Sequence, residues 1–86
     1  MEQMDEPKEN EKIMKCKQEA IEKTKIQGHL IEEWKWDGYG YWRAWCENRN
    51  CTGHVWVKLN EVGEYIYGGT GISHICWLKA FKNKEL

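Results

Sequence analysis

Apolar and polar positions follow two rhythms along this chain, and the change falls near Gly28. Before it, from about Glu9 to Ile26, apolar residues are sparse and recur at helical spacing. Ile13, Cys16 and Ala20 share one face, with Met14 and Ile21 beside it. The stretch has good helix formers and no breaker, and Pro7 fits just before or at its start. Because the stripe is thin, the expectation is a helix that docks weakly or frays in isolation.

After Gly28 the rhythm shortens to alternation. His29 to Trp36 reads as a strand, and Asp37-Gly38 predicts a two-residue hairpin turn, since both residues tolerate positive φ. Tyr39 to Cys46 is then the partner strand. Trp42, Ala44 and Cys46 lie on one face, with Tyr41, Arg43 and Trp45 on the other. Gly53 to Leu59 gives a third strand with Val55, Val57 and Leu59 together. Asn60 to Gly63 is a turn, Glu64 to Tyr67 a fourth short strand, and Gly68 to Gly71 a flexible loop. From Ser73 to about Asn83, the spacing of Ile72, Ile75, Cys76 and Lys79/Ala80 suits a short helix, with Lys79, Lys82 and Lys84 near its C-terminal end. The predicted fold is α+β: an N-terminal helix, a small antiparallel sheet of about four strands, and a short C-terminal helix. It divides into a polar helical segment, residues 1–27, and a β domain with the C-terminal helix, residues 28–86.

Composition sharpens this division. Six Trp, four Tyr and one Phe all lie between Trp34 and Phe81, whereas residues 1–28 hold seven acidic and six basic residues and no aromatic. Aromatic side chains give a small core much buried area per residue. The net charge of -1 excludes a strong non-specific grip on nucleic acid from charge alone, but not a local basic patch. No apolar run approaches the roughly 20 residues of a membrane-spanning helix. The opening Met-Glu-Gln-Met-Asp-Glu-Pro-Lys is too acidic for a secretory signal, so the expected location is cytoplasmic. In that compartment thiols stay reduced, which favours metal ligation over a Cys46–Cys51 disulfide.

In a chain of 86 residues a metal staple is a common supplement to a small core. Cys46 and Cys51 bracket a polar loop between two strands, at a spacing suited to two thiolates on one ion. If Asp37-Gly38 makes a tight hairpin, Tyr39 faces Trp36 and Cys46 faces His29, which makes His29 the third ligand. Cys76 follows the fourth strand back to the same end and is the fourth. The competing ligands are His54, three residues beyond Cys51, His74, two residues before Cys76, and Cys16 on the helix. The predicted site is thus a structural Zn2+ on His29, Cys46, Cys51 and Cys76.

The order Gly28-His29-Leu30, Trp34, Ala44-Trp45-Cys46, Cys51-Thr52-Gly53, Val55-Trp56-Val57, Gly69-x-Gly71-Ile72 and Cys76 resembles a group of small zinc-ribbon-like proteins found among phage and bacterial open reading frames. The resemblance spans roughly residues 28–76. It implies a structural Cys3His zinc site and no known activity. The chain departs from that pattern in two ways: four residues rather than two separate the cysteine pair, and the chain continues past Cys76.

Catalytic sets are not evident. The deaminase, His-Glu-x-x-His, Cys-x-x-Cys and phosphate-loop patterns are all missing, and Gly68-Gly69-Thr70-Gly71 lacks the Lys of the last. Carboxylate pairs such as Glu32 and Glu33, or Glu61 and Glu64, have nothing to single them out. A closed four-ligand site also leaves no position for water. The expected function is therefore non-catalytic: a protein-interaction module presenting Trp36, Tyr39, Tyr41 and Trp45, with self-association through the same face as a variant of this reading. If the resemblance to phage-borne proteins holds, a host or defence protein is the expected partner, by analogy alone. The alternative is a nucleic-acid binder that stacks bases on Trp and Tyr beside Lys35, Arg43, Arg49, Lys58 and Lys79.

Overall fold

A computed structural model describes residues 4–79 and shows the α+β fold. Helix α1, Glu11–Ile26, starts at Asn10, whose side-chain oxygen accepts the Ile13 N–H at 3.0 Å. That bond satisfies one of the donors a helix N-terminus leaves free. Ile13, Cys16 and Ala20 form the inward face as predicted, and Thr24 extends it by one turn. The stripe is thin but fully used. Ile13, Ala20 and Thr24 are each 0% exposed and belong to the interior that the sheet shares, so α1 docks closely rather than weakly. Met14 is exposed.

The four strands are β1 (Lys35–Trp36), β2 (Tyr41–Trp45), β3 (His54–Leu59) and β4 (Tyr65–Gly68), paired antiparallel in sequence order. Helix α1 covers one face by packing on β3 and β4. On that face Trp42, Ala44, Val55 and Val57 are buried as the alternation predicts. Leu59 ends its strand exposed. Full burial of Ile13, Val55 or Val57 contributes about 1.5–3 kcal/mol each relative to exposure.

The first strand is the main difference. Only Lys35 and Trp36 pair regularly, and Trp36 faces Trp42 rather than Tyr39. Asp37 forms an Asx turn. Its Oδ1 accepts the N–H groups of Tyr39 at 2.7 Å and Tyr41 at 3.1 Å, and its own N–H donates to the Tyr41 carbonyl. The loop is therefore longer than the dipeptide Asp37-Gly38 implies, with positive φ at both Gly38 and Gly40. Upstream, Cys46 pairs with Ile31 rather than His29. Relative to the Lys35–Arg43 pair, the first strand carries one extra residue there, as in a bulge.

The predicted aromatic face also divides. Trp36 packs on Trp42 on the helix side, with ring centroids 4.8 Å apart. Tyr39 sits in the turn, and Tyr41 and Trp45 lie on the opposite face of the sheet. After β4 the chain makes one helical turn, α2 (Thr70–Ser73), where a flexible loop was expected. His74 is extended, residues 75–76 are not helical, and helix resumes at 77–79. Ala80, Lys82, Asn83 and Lys84 of the predicted helix lie outside the described residues.

Candidate metal centre

Four segments meet at one end of the sheet, and each supplies one donor. The end of α1 supplies the first. The Gly28 N–H donates to the Lys25 carbonyl at 2.9 Å and the His29 N–H to the Thr24 carbonyl at 3.1 Å. These bonds form a Schellman motif, with Gly28 in the left-handed region at φ +85°. The helix stop therefore leads straight into His29, which is 5% exposed.

Cys46 follows β2, and its N–H donates to the Gly53 carbonyl at 2.8 Å. Cys51 closes the loop, where Asn50 adopts φ +64° and the Cys51 N–H reaches the Asn48 carbonyl. Cys76 lies on the non-helical piece after α2, and its N–H donates to the Gln27 carbonyl at 2.7 Å. Gln27 also donates its side-chain amide to the Ile72 carbonyl. The last residue of the helix cap thus binds both sides of the segment that carries the last cysteine.

The donor atoms of His29, Cys46, Cys51 and Cys76 all lie within 4.8 Å of one another. Cys51 Sγ is 3.4 Å from His29 Nδ1, Cys76 Sγ is 3.6 Å from Cys51 Sγ, and Cys46 Sγ is 4.0 Å from Cys76 Sγ. A tetrahedron built from Zn–S of about 2.3 Å and Zn–N of about 2.0–2.1 Å has edges of about 3.8 Å between sulfurs and about 3.6 Å between sulfur and nitrogen. These three separations fall close to those edges. They far exceed a disulfide bond of about 2.05 Å, and all four cysteines are free.

Amide donors face two of the sulfurs, and the imidazole is held in a defined tautomer. The Gly53 N–H donates to Cys51 Sγ at 3.4 Å, the Asn48 side-chain amide to Cys76 Sγ at 3.3 Å, and the Leu78 N–H also to Cys76. Both Cys51 and Cys76 thus accept from the backbone two residues on. His29 Nε2 lies 2.8 Å from the carbonyl oxygen of His74. A carbonyl only accepts, so Nε2 carries the proton and Nδ1 presents its lone pair toward the sulfurs. The ring fits because residue 53 is glycine: a Cβ there would come within 2.5 Å of the imidazole.

Burial pushes the Cys51 thiol up to about 11, and the neighbouring Cys46 and Cys76 add to this against the Gly53 N–H. Burial also opposes ionisation of Cys76. The Asn48 amide, the Leu78 N–H and the other two thiols outweigh it, so Cys76 ionises below the ordinary thiol range. Without a cation Cys76 is thus the readier thiolate, and Cys51 resists joining it. A divalent cation relieves that like-charge repulsion.

The competing ligands lie elsewhere. His54 Nδ1 is 3.1 Å from the Thr70 hydroxyl, and His74 Nδ1 is 2.8 Å from the Ser73 hydroxyl. His74 serves the site through its backbone carbonyl instead. Cys16 is buried under α1, where burial first and then Glu19 raise its pKa. Asn48 was not foreseen as part of the site. It also donates to the Gly28 carbonyl at 3.2 Å, linking the cysteine loop to the helix end. Its place inside the Cys46–Cys51 loop was the only sequence signal. No family model, curated protein or solved structure matches the chain.

Proposed function

We propose that this protein is a small non-catalytic binding module whose sheet end is closed by one structural zinc ion on His29, Cys46, Cys51 and Cys76. The carrying observation is the mutual distance of the four donors, all within 4.8 Å. The amide donors on sulfur and the fixed histidine tautomer support it. Three thiolates and one imidazole match the ligand chemistry of structural zinc and fill its usual four positions. Such an ion supplies cross-linking between chain segments and no site for substrate or water. The module therefore acts through its surface, by meeting a macromolecular partner with the exposed rings of the sheet.

Elemental analysis of protein purified without chelator or affinity tag tests the reading. The expected result is one zinc per chain, lost in Cys46→Ser and Cys76→Ser. Protein that is folded and metal-free after growth and purification in zinc would overturn it.

A further inference from the structure

We propose that the sheet face opposite α1 is a binding surface for single-stranded nucleic acid. On β2 this face carries Tyr41, Arg43 and Trp45. Directly across, β3 places Lys58 against Tyr41, Trp56 against Arg43, and His54 against Trp45. Rings therefore alternate with Arg43 and Lys58 along and across these two strands, and His54 completes the pattern at the far corner. The side chains follow the register. Arg43 lies over the Tyr41 ring at 4.7 Å, and Lys58 lies over Tyr41 at 5.4 Å and over Trp56 at 5.9 Å. Lys35 adds a further cation opposite Arg43.

The strands carry no acidic residue on either face, and the cations Lys35, Arg43 and Lys58 all fall on this one. The nearest carboxylate pairing is Asp37 at the hairpin rim, 3.1 Å from Arg43. Lys35 and Lys58 form no ion pair among the described residues. The net charge of the whole chain thus conceals a local basic surface.

Two features select single strands over a duplex or an acidic protein. Trp56 lies across β4 because residue 68 is glycine, where a Cβ would come within 2.6 Å of the indole. Tyr41 meets this ring edge-on with centroids 5.7 Å apart, and the Lys58 ammonium stands 5.9 Å from its centre, so a base that stacks on Trp56 takes the place Lys58 now holds. Trp45, 47% exposed, offers a second ring. Stacking of this kind needs bases that are unpaired and splayed, and the neighbouring cations suit the phosphates between them. Rows of alternate residues along a strand repeat at about 6.6 Å, a spacing for an extended chain and not for a helical groove.

This inference relies on the zinc reading for a rigid sheet, so the test uses protein whose metal content has been measured. Fluorescence anisotropy would follow a labelled oligothymidylate against metal-loaded protein, with a duplex of the same length as comparison. Binding should favour the single strand. It should weaken roughly twentyfold between about 50 and 200 mM salt, as three phosphate contacts require. Trp45→Ala and Trp56→Ala should each weaken it about tenfold at unchanged metal content and melting temperature. Lys58→Ala should flatten the salt dependence. Metal-loaded protein that fails to bind at low salt overturns the proposal and leaves the zinc reading intact. Binding that ignores Trp45 and Lys58 also overturns it, as does a dimer that Trp45→Ala dissociates in place of oligonucleotide binding.

Discussion

The two ends of the sheet are built in opposite ways. At the hairpin end, Asp37 and Asn60 perform the same operation. Each side-chain oxygen accepts the N–H groups two and four residues on, and each backbone N–H donates to the carbonyl four residues on. Everything needed to form these turns lies within five consecutive residues. At the donor end, the four groups come from residues 29, 46, 51 and 76, and only Cys46 and Cys51 share a local loop. Local closure costs little chain entropy, whereas long-range closure must be offset by a strong common partner. A short polar residue suffices at one end, and on the zinc reading an ion serves at the other.

The sharpest way to break this contrast is to remove the metal, by chelation or by Cys76→Ser. Apparent zinc binding energies of about 10–16 kcal/mol equal or exceed the whole stability of a typical domain. Amide exchange should rise first and most at 28–31, 46–53 and 74–76, with circular dichroism reporting loss of the fold. Equal protection at the two ends after metal removal would show that the contrast does not exist. Ile13→Ala comes next, with an expected loss of about 2–5 kcal/mol in a denaturant titration. A loss below about 1 kcal/mol would return α1 to the status of a loosely docked segment.

Gly28→Ala should destabilise by about 1–2 kcal/mol, because residue 28 sits at φ +85° and a Cβ there meets Lys79 at 2.7 Å. It should also weaken zinc retention in a chelator competition, since the same turn sets His29. Asn60→Ala, at the other end, should cost about 1 kcal/mol and leave zinc retention unchanged. Equal effects on the metal from both variants would blur the two ends into one. The smallest effect is at Asp37. Burial acts to raise its pKa, but the N–H groups of Tyr39 and Tyr41 and the Arg43 guanidinium hold it below the usual carboxylate value. A carboxylate depressed by folding stabilises above its unfolded pKa of about 3.9, and that contribution is lost as pH falls through the folded value. Asp37→Asn should flatten the acid limb of the stability profile below about pH 4.

Much of this was legible in the chain. Alternation at Trp42, Ala44, Val55 and Val57 reported burial because one face of the sheet meets α1. The donor set was readable because its residue types have few other reasons to gather. The hairpin register was not, because Asp37-Gly38 suits a tight turn while the Asp37 side chain and Gly40 favour a longer one. His29 was reached by the wrong route: it arrives through the end of α1 and not through a pairing with Cys46. The tight docking of α1 was hidden because Ile13, Cys16, Ala20 and Thr24 give little apolar area, and only the facing sheet shows that small residues suit a close approach. The late start of the last helix turns on Cys76 donating its N–H to Gln27, a contact that no local pattern records.

The position of Cys76 also sets an order of events during synthesis. A growing chain that already contains α1 and all four strands owns only three of the four donors. Its core still lacks a residue that is 0% exposed in the finished protein. The turns at Asp37 and Asn60 lie wholly within that chain, whereas the donor cluster does not. On the zinc reading, the four-donor set is complete only once residue 76 has emerged.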